Sequence, residues 1–301
     1  MSFRAYGVWA DSHHAKIEIS SVRFNQGRRA KECAEFSMKS FLKSLANIGA
    51  IRVLLGFNVV ALMYLVRLQP KLFVEACRNA FLASRRQATV SALKAVPEID
   101  LGEILGDRRP LVRLVAMRPE DGMLPNDQIM TLLSILVAEA PSEVLEIGTF
   151  MGYSSRQMAE NLEAGTIHTV DLPEDFSPEH DPHREIPKDD VHLMLRRVVG
   201  REFKGLPCAS RIKQHFADTA VWDFREAGHP TFFFIDGSHT YEYCKNDSEK
   251  CFALCDGKGV FLWHDCDDAH PGVVRFVSEW RQMGRNIRRI AGTPIAYWKS
   301  A

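Results

Sequence analysis

Five short apolar runs after residue 143 of this 301-residue chain constrain its fold more than any other feature. Each run has the length of a strand and is followed by polar or glycine residues, and most are separated by a segment long enough for a helix. The runs are Val144–Ile147, Thr166–Val170, Arg211–Phe216, Thr231–Ile235 and Gly259–Trp263. This alternation predicts a mostly parallel sheet with helices on both faces and ligands at the carboxyl ends of its strands.

The flanks of this region complete the predicted sheet. Before the first run, Asn126 is predicted as the N-cap of an amphipathic helix, and Pro141 ends that helix. After the last run, segments 286–290 and 295–298 flank a Gly-Thr-Pro turn, which is typical of an antiparallel hairpin. We therefore predict an α/β fold with a Rossmann-like, seven-stranded, mostly parallel sheet and a terminal antiparallel hairpin.

The N-terminal third of the chain differs in charge from the remainder. Of the 38 basic and 38 acidic side chains, 15 basic but only 5 acidic ones precede residue 97. Apolar residues at helical spacing from Ala30 to Ile48, and the composition of 71–95, predict helices. Pro97 begins a stretch with more glycine and proline. We predict a basic, mainly helical region over 1–96 and a catalytic domain over 97–301.

An apolar run over 48–66 leaves two interpretations open. It is either a buried helix of a small helical domain, or a segment on an anionic membrane surface, with basic side chains between residues 39 and 86 supporting that contact. Arg52 and Asn58 make it too polar for an ordinary membrane span. The first residues are too charged for a signal peptide, and the seven cysteines form no CxxC pair. We expect a cytoplasmic protein, and peripheral membrane contact and a homo-oligomer remain open.

The loop from Glu146 to Ser154 follows the first run and leads into a helix. Its glycines allow the backbone to approach a ligand, and a helix N-terminus offers free N–H groups. The loop lacks the GxGxxG pattern of dinucleotide sites. Its acidic residue, two positions before Gly148, suits a cationic amino-acid moiety better than a pyrophosphate. The alternative is an ordinary strand–turn–helix connection with incidental glycines.

The other four strand ends also carry polar side chains. Asp171, 23 residues beyond Gly148, suits the two hydroxyls of a ribose. Asp218 suits an adenine edge or, alternatively, caps a helix. The fourth run ends in Asp236-Gly-Ser-His239, and the fifth in His264-Asp265. Together, the five ends predict one functional site in one crevice.

This ordered set of motifs resembles class I S-adenosylmethionine-dependent methyltransferases, in the group of small-molecule O-methyltransferases. That group carries an EIGTxxGxS loop, a DLP segment, an IDGSHxYEY segment and a WHD segment, and the likeness covers roughly residues 98–301. The resemblance implies S-adenosylmethionine as the cofactor. It implies a methionine site at Glu146, Gly148, Thr149, Gly152, Tyr153 and Ser154, a ribose site at Asp171 and Leu172, an adenine site at Asp218, and Asp236 beneath the sulfonium.

The chemistry of methyl transfer suggests roles for the last two strand ends. The reaction is an in-line displacement, so the protein supplies alignment, and the acceptor must lose a proton. His239 and His264 are the candidate base or orienting groups, with Asp265 beside them. The resemblance also implies a divalent cation such as Mg²⁺ at Asp236, His264 and Asp265. His264 stands where an oxygen ligand is expected, which weakens the magnesium interpretation or indicates a softer metal.

The resemblance associates an Asn-Pro-Pro-Tyr-type segment after the fourth strand with methylation at nitrogen. This chain has no such segment, so the resemblance implies a small-molecule acceptor that is methylated at oxygen. The segment from Pro173 to Pro207 is either a lid over the acceptor or a solvated insertion. Two alternatives remain, a non-methylating enzyme on the same fold and a membrane-associated cofactor-binding module. Nucleic acid is not an expected partner, because residues 97–301 carry 33 acidic and 23 basic side chains.

Overall fold

The computed structural model describes residues 4–11, 14–21, 70–117, 120–176, 193, 195 and 197–300. The chain divides into two compact units, Met1–Arg85 and Arg86–Ala301. The apolar run 48–66 and the helical pattern of 30–48 lie outside the described residues. The sequence-based domain boundary near residue 97 stays a prediction.

The N-terminal unit contains an antiparallel pair of strands that the sequence analysis did not predict. Strand β1 (Arg4–Asp11) pairs with β2 (His14–Ser21) along its full length. Helix α1 (Pro70–Lys94) covers the segment 71–95 that was predicted to be helical, and it begins with proline, which is tolerated in a first helical turn. Among the described residues, no helix is long and apolar enough to cross a membrane.

The C-terminal unit is built around an eight-stranded sheet in the order β3-β9-β10-β8-β7-β4-β5-β6. Its strands are β3 (Glu98–Ile99), β4 (Glu143–Ile147), β5 (Thr166–Asp171), β6 (Ile212–Phe216), β7 (Phe232–Ile235), β8 (Val260–Trp263), β9 (Arg288–Ile290) and β10 (Ala296–Lys299). Its helices are α2 (Leu101–Leu105), α3 (Asn126–Glu139), α4 (Tyr153–Asn161), α5 (Tyr241–Leu254) and α6 (Pro271–Gln282).

The strand pairing confirms the predicted Rossmann-like sheet. Strands β4 to β8 pair in parallel, whereas β10 is antiparallel to both β8 and β9. The terminal hairpin is therefore present, with β10 inserted between β8 and β9. The sheet has eight strands rather than seven because Glu98 and Ile99 form a short strand beside β9. Two residues are too few to show a strand period in a sequence.

Both faces of the sheet are buried, and this explains the continuous apolar run of β7. Phe232 and Phe234 pack in the hydrophobic core that also contains residues of α3 and α4. Phe233 and Ile235 point the other way, into the core that contains residues of α5 and α6. A parallel strand covered on both faces needs apolar side chains at every position. Helices therefore cover both faces of the sheet at β7.

The start of α3 differs by one residue from the prediction. Pro125 is the N-cap, and Asn126, predicted as the cap, is the first helical residue. Pro125 makes no side-chain cap hydrogen bond, and the Asn126 Oδ1 accepts a hydrogen bond from the Tyr153 hydroxyl at 3.0 Å. A tertiary contact with α4 has therefore replaced the local capping bond that the sequence pattern indicates.

Candidate cofactor and catalytic site

A cavity of about 440 Å³ lies at the carboxyl ends of the parallel strands. Its lining includes a residue from each of the five predicted strand ends, namely Gly148, Asp171, Asp218, Asp236 and Asp265. It also includes six other residues named from the sequence, Thr149, Tyr153, Ser154, Leu172, His239 and His264. The carboxyl ends of parallel strands meet at one edge of a sheet, which is why residues spread over 118 positions line one cavity.

Gly148 allows two strand ends to meet below this cavity. Its φ is +96°, and a Cβ at this position would lie 2.1 Å from the backbone oxygen of Asp236. No other residue fits this contact, so the glycine fixes the approach of the β4–α4 loop to the end of β7. Gly152 is the N-cap of α4 with a φ of +85°. It packs against the Phe203 ring and is not part of the cavity lining.

Glu146 lies beneath the loop rather than in the cavity wall. Its buried carboxylate accepts hydrogen bonds from the hydroxyls of Ser154 (2.5 Å), Ser155 and Thr169 (2.6 Å). Burial raises the pKa of Glu146 to about 7, although the three hydroxyls oppose this shift. The carboxylate thus ties the first turn of α4 to β4 and β5. Glu146 does not line the cavity, and the cofactor contact predicted for it stays a prediction.

Asp171 is buried at the end of β5 and already has three partners. The backbone N–H groups of Phe150 and Leu172 donate to it at 2.6 Å and 2.7 Å. The guanidinium of Arg197 lies 3.2 Å from Asp171 Oδ1. Burial raises the pKa of Asp171, and Arg197 and the backbone donors oppose this shift. The carboxylate is therefore held in one orientation at the cavity wall.

Arg197 is a lining residue that the sequence analysis did not single out. It belongs to the segment from Pro173 to Pro207, predicted to be either a lid or an insertion, and Leu193 of the same segment also lines the cavity. Residues 177–192, 194 and 196 lie outside the described part of the chain. Arg197 follows Asp171 by 26 residues, with other basic side chains between them, so no local pattern signals its place at the cavity.

The third and fourth strand ends meet α5 on the other side of the cavity. Asp218 Oδ1 accepts hydrogen bonds from the Tyr243 hydroxyl at 3.1 Å and from the Ala220 N–H at 2.9 Å, so it also stabilises a turn. Asp247 of α5, which the sequence analysis missed, lines the cavity and is 1 % exposed. Burial raises the pKa of Asp247 to about 6. An acidic residue in the middle of an amphipathic helix gave no signal of its position.

The remaining strand ends form a cluster of carboxylates and imidazoles. His264 Nδ1 lies 2.9 Å from Asp236 Oδ1 and 3.1 Å from Asp265 Oδ1, and its Nε2 lies 2.7 Å from Gln128 Oε1. Burial lowers the pKa of His264, but the two carboxylates outweigh this and raise it to about 11. In the absence of a cation, His264 is therefore protonated at neutral pH.

The second imidazole of the cluster is His239. Its Nε2 lies 2.8 Å from Asp265 Oδ2. Beyond it stands His270, which the sequence analysis missed, with its ring centre 4.5 Å from that of His239. His270 Nδ1 lies 2.9 Å from Asp267 Oδ1 and 3.6 Å from Asp265 Oδ1. Asp265 is the centre of the cluster and has a left-handed φ of +58°.

The three residues predicted to bind a cation do lie together. Asp236, His264 and Asp265 each have one possible ligand atom that lies within 4.8 Å of those of the other two. His264 Nδ1 is buried and close to both carboxylates, but it makes no properly directed hydrogen bond. An imidazole nitrogen facing two carboxylate oxygens in this way fits a divalent cation. The imidazole suits a borderline metal better than Mg²⁺.

Comparisons with known proteins bear on the same region of the chain. Residues 145–266 match the sequence model of a family described as a methyltransferase domain. No curated protein matches the chain.

Solved structures with a similar fold include two O-methyltransferases. One is from Bacillus cereus in complex with SAH, at 15% identity over 70% of this chain and 91% of that chain, with a TM-score of 0.42. The other is TomG from Streptomyces achromogenes in complex with SAM, at 16% identity over 64% and 92%, with a TM-score of 0.43. A methyltransferase from Podospora anserina with bound SAH has 17% identity over 71% and 94%, with a TM-score of 0.42.

Proposed function

We propose that this chain, which carries a methyltransferase domain over residues 145–266, transfers the methyl group of S-adenosylmethionine to an oxygen atom of a small-molecule acceptor. The observation that carries the proposal is the convergence of five polar strand ends on one cavity. A sulfonium cofactor with a ribose, an adenine and a charged amino acid needs several separate polar contacts. Five strand ends at one edge of a sheet offer them.

The cavity offers a contact for each part of the cofactor. We assign the methionine part to the loop at Gly148 and Thr149, which lines the cavity beside the start of α4. Asp171 accepts hydrogen bonds from the ribose hydroxyls. Asp218 faces the adenine amino group, and Asp247 lies buried next to it. This arrangement places the sulfonium and its methyl group toward Asp236.

The acceptor then lies between the cluster around Asp265 and an apolar wall. That wall contains Met123, Leu124 and Leu193, which suit an apolar part of the acceptor and exclude water. Because His264 faces Asp236 and Asp265, with which it would hold a cation, we assign the contact with the acceptor oxygen to His239, which Asp265 orients. A divalent cation held by Asp236, His264 and Asp265 would supply positive charge that favours the deprotonated acceptor oxygen.

Isothermal titration of S-adenosylmethionine into the purified chain tests the cofactor assignment. We expect binding by the wild type and roughly 10- to 100-fold weaker binding by Asp171→Asn, because the substitution removes charged hydrogen bonds of about 1.5–3 kcal/mol. Asp175→Asn is the matched control, since it removes the same charge at an exposed position four residues away. Absence of binding by the wild type would overturn the proposal.

Detection of the demethylated cofactor product tests the reaction. A methyltransferase releases this product only when an acceptor is present, whereas a non-methylating enzyme on the same fold binds the cofactor and leaves it intact. Phenols, sugars and lipids are the acceptor classes to supply. A chain that binds the cofactor but never forms this product with any of them would favour the non-methylating alternative.

A further inference from the structure

Three side chains beside the acceptor end of the cavity form a second group of possible metal ligands. They are His239, Asp265 and His270, which come from the loop after β7, the end of β8 and the residue before α6. One donor atom from each lies within 4.8 Å of the others. All three line the cavity and are largely, but not fully, buried.

The backbone brings these side chains together at some cost. A Cβ on Gly272, in the first turn of α6, would lie 2.3 Å from the backbone oxygen of His239. Only glycine therefore allows α6 to begin so close to the His239 loop. Asp265 adopts a φ of +58°, which costs a non-glycine residue about 1–2 kcal/mol. A close glycine contact and a strained residue thus place His239, Asp265 and His270 around one point.

His270 also has the partner that a metal-binding histidine needs. Asp267 Oδ1 lies 2.9 Å from His270 Nδ1 and is fixed by the backbone N–H groups of Ala269 (2.9 Å) and His270 (3.2 Å). The same Nδ1 lies 3.6 Å from Asp265 Oδ1, so Asp267 holds the His270 ring beside the cluster, as carboxylate partners hold metal-binding histidines. Two imidazoles and one carboxylate suit first-row transition metals, whereas Mg²⁺ prefers oxygen ligands.

We propose that His239, Asp265 and His270 bind one divalent first-row transition metal ion, with Asp267 orienting His270. This site needs neither Asp236 nor His264, which belong to the group expected from the resemblance. An ion held there would lie at the acceptor end of the cavity and would supply positive charge beside the acceptor oxygen. The proposal rests on ligand geometry and is tested without cofactor or acceptor, so its failure is separate from failure of the proposed function.

Titration of CoCl₂ into the full-length chain, with excess MgCl₂ present, tests the site. We expect cobalt to bind at this site in addition to any ion held by Asp236 and His264, with the visible absorption of nitrogen and oxygen ligation and no thiolate charge-transfer band. His270→Ala should weaken binding more than 10-fold, and Asp267→Asn should weaken it about 10- to 100-fold, the usual effect of losing such a partner. Asp236→Asn should retain cobalt binding.

His229→Ala is the control for general histidine binding, because His229 is exposed and outside the cavity. Circular dichroism checks that each variant folds, and Asp267→Asn decides the test if His270→Ala does not fold. Unchanged cobalt affinity in both of these variants would overturn the proposal. Equal losses in Asp236→Asn and His270→Ala, or no cobalt binding by the wild type, would also overturn it.

Discussion

At the scale of single residues, the carboxylates in and below the site differ in the charge of their partners. Asp171 and Asp265 have basic partners, Arg197 and His239, which oppose the effect of burial on the two carboxylates and orient them. Glu146 has only hydroxyl partners and no neighbouring cation among its contacts. Its charge is therefore expensive to bury, and this has a measurable effect on stability.

We predict that Glu146 makes the protein less stable as the pH rises from about 4.5 to 7. The pKa of Glu146 is about 7 in the folded chain and 4.5 as its ordinary value, so the folded state keeps a proton that the unfolded state has lost. The contribution of the Glu146 proton to the unfolding free energy is complete below pH 4.5 and is lost as the pH rises through 7. The total loss is roughly 3 kcal/mol. Urea unfolding of the wild type and Glu146→Gln at pH 4.5 and 7.5 measures this difference.

Glu163→Gln provides the control because Glu163 is exposed on the loop after α4. Its unfolding free energy should follow that of the wild type at both pH values. In contrast, Glu146→Gln should gain stability relative to the wild type at pH 7.5. Parallel pH dependence of the wild type and Glu146→Gln would show that Glu146 is ionised in the folded chain.

At the scale of elements, the site depends on how closely the connecting loops approach each other. Gly148 contacts the end of β7, and Gly272 contacts the loop after it. Both contacts involve backbone atoms, which cannot move aside as a flexible side chain can. The loops therefore form one rigid layer above the strand ends, and a methyl group at either glycine separates them.

We predict that Gly148→Ala destabilises the protein by at least about 2 kcal/mol more than Gly284→Ala. The two glycines have nearly the same φ, +96° and +93°, so both substitutions place alanine in a left-handed conformation that costs about 1–2 kcal/mol. Only Gly148 has a backbone atom within 4 Å of the added Cβ. The difference between the two unfolding free energies, measured in urea, isolates the clash. Equal losses would show that the β7 end moves aside freely.

At the scale of the whole molecule, all residues that line the cavity belong to the unit Arg86–Ala301. Four of the five tryptophans also lie in this unit, at positions 222, 263, 280 and 298, and the fifth is Trp9. Intrinsic fluorescence therefore reports mainly on the unit that we expect to bind the cofactor.

We predict that S-adenosylmethionine raises the urea midpoint of the fluorescence transition. A ligand that binds only the folded state at 100 times its Kd adds about 2.7 kcal/mol to the unfolding free energy. At the same ligand concentration, Asp171→Asn should show a smaller shift because its affinity is lower. A midpoint that does not move for the wild type at saturating cofactor would contradict binding to this unit.

The sequence by itself determined the parallel sheet, the terminal hairpin and the five polar strand ends. Each of these depends on a local pattern, because an apolar run marks its own strand and the next residues mark its end. The sharp backbone turn expected at Gly148 is also present, with a φ of +96°, because a glycine after a strand signals such a turn. All five strand-end groups line the cavity because the edge of a parallel sheet follows from strand direction alone.

Only the tertiary structure showed which groups reach the site from other elements. Arg197, Asp247 and His270 come from the β5–β6 crossover, a helix interior and a helix start, where a local pattern gives no direction toward the cavity. The structure also placed Glu146 beneath the loop. These outcomes depend on packing between residues far apart in the sequence, and no local period records which side chain fills a given space.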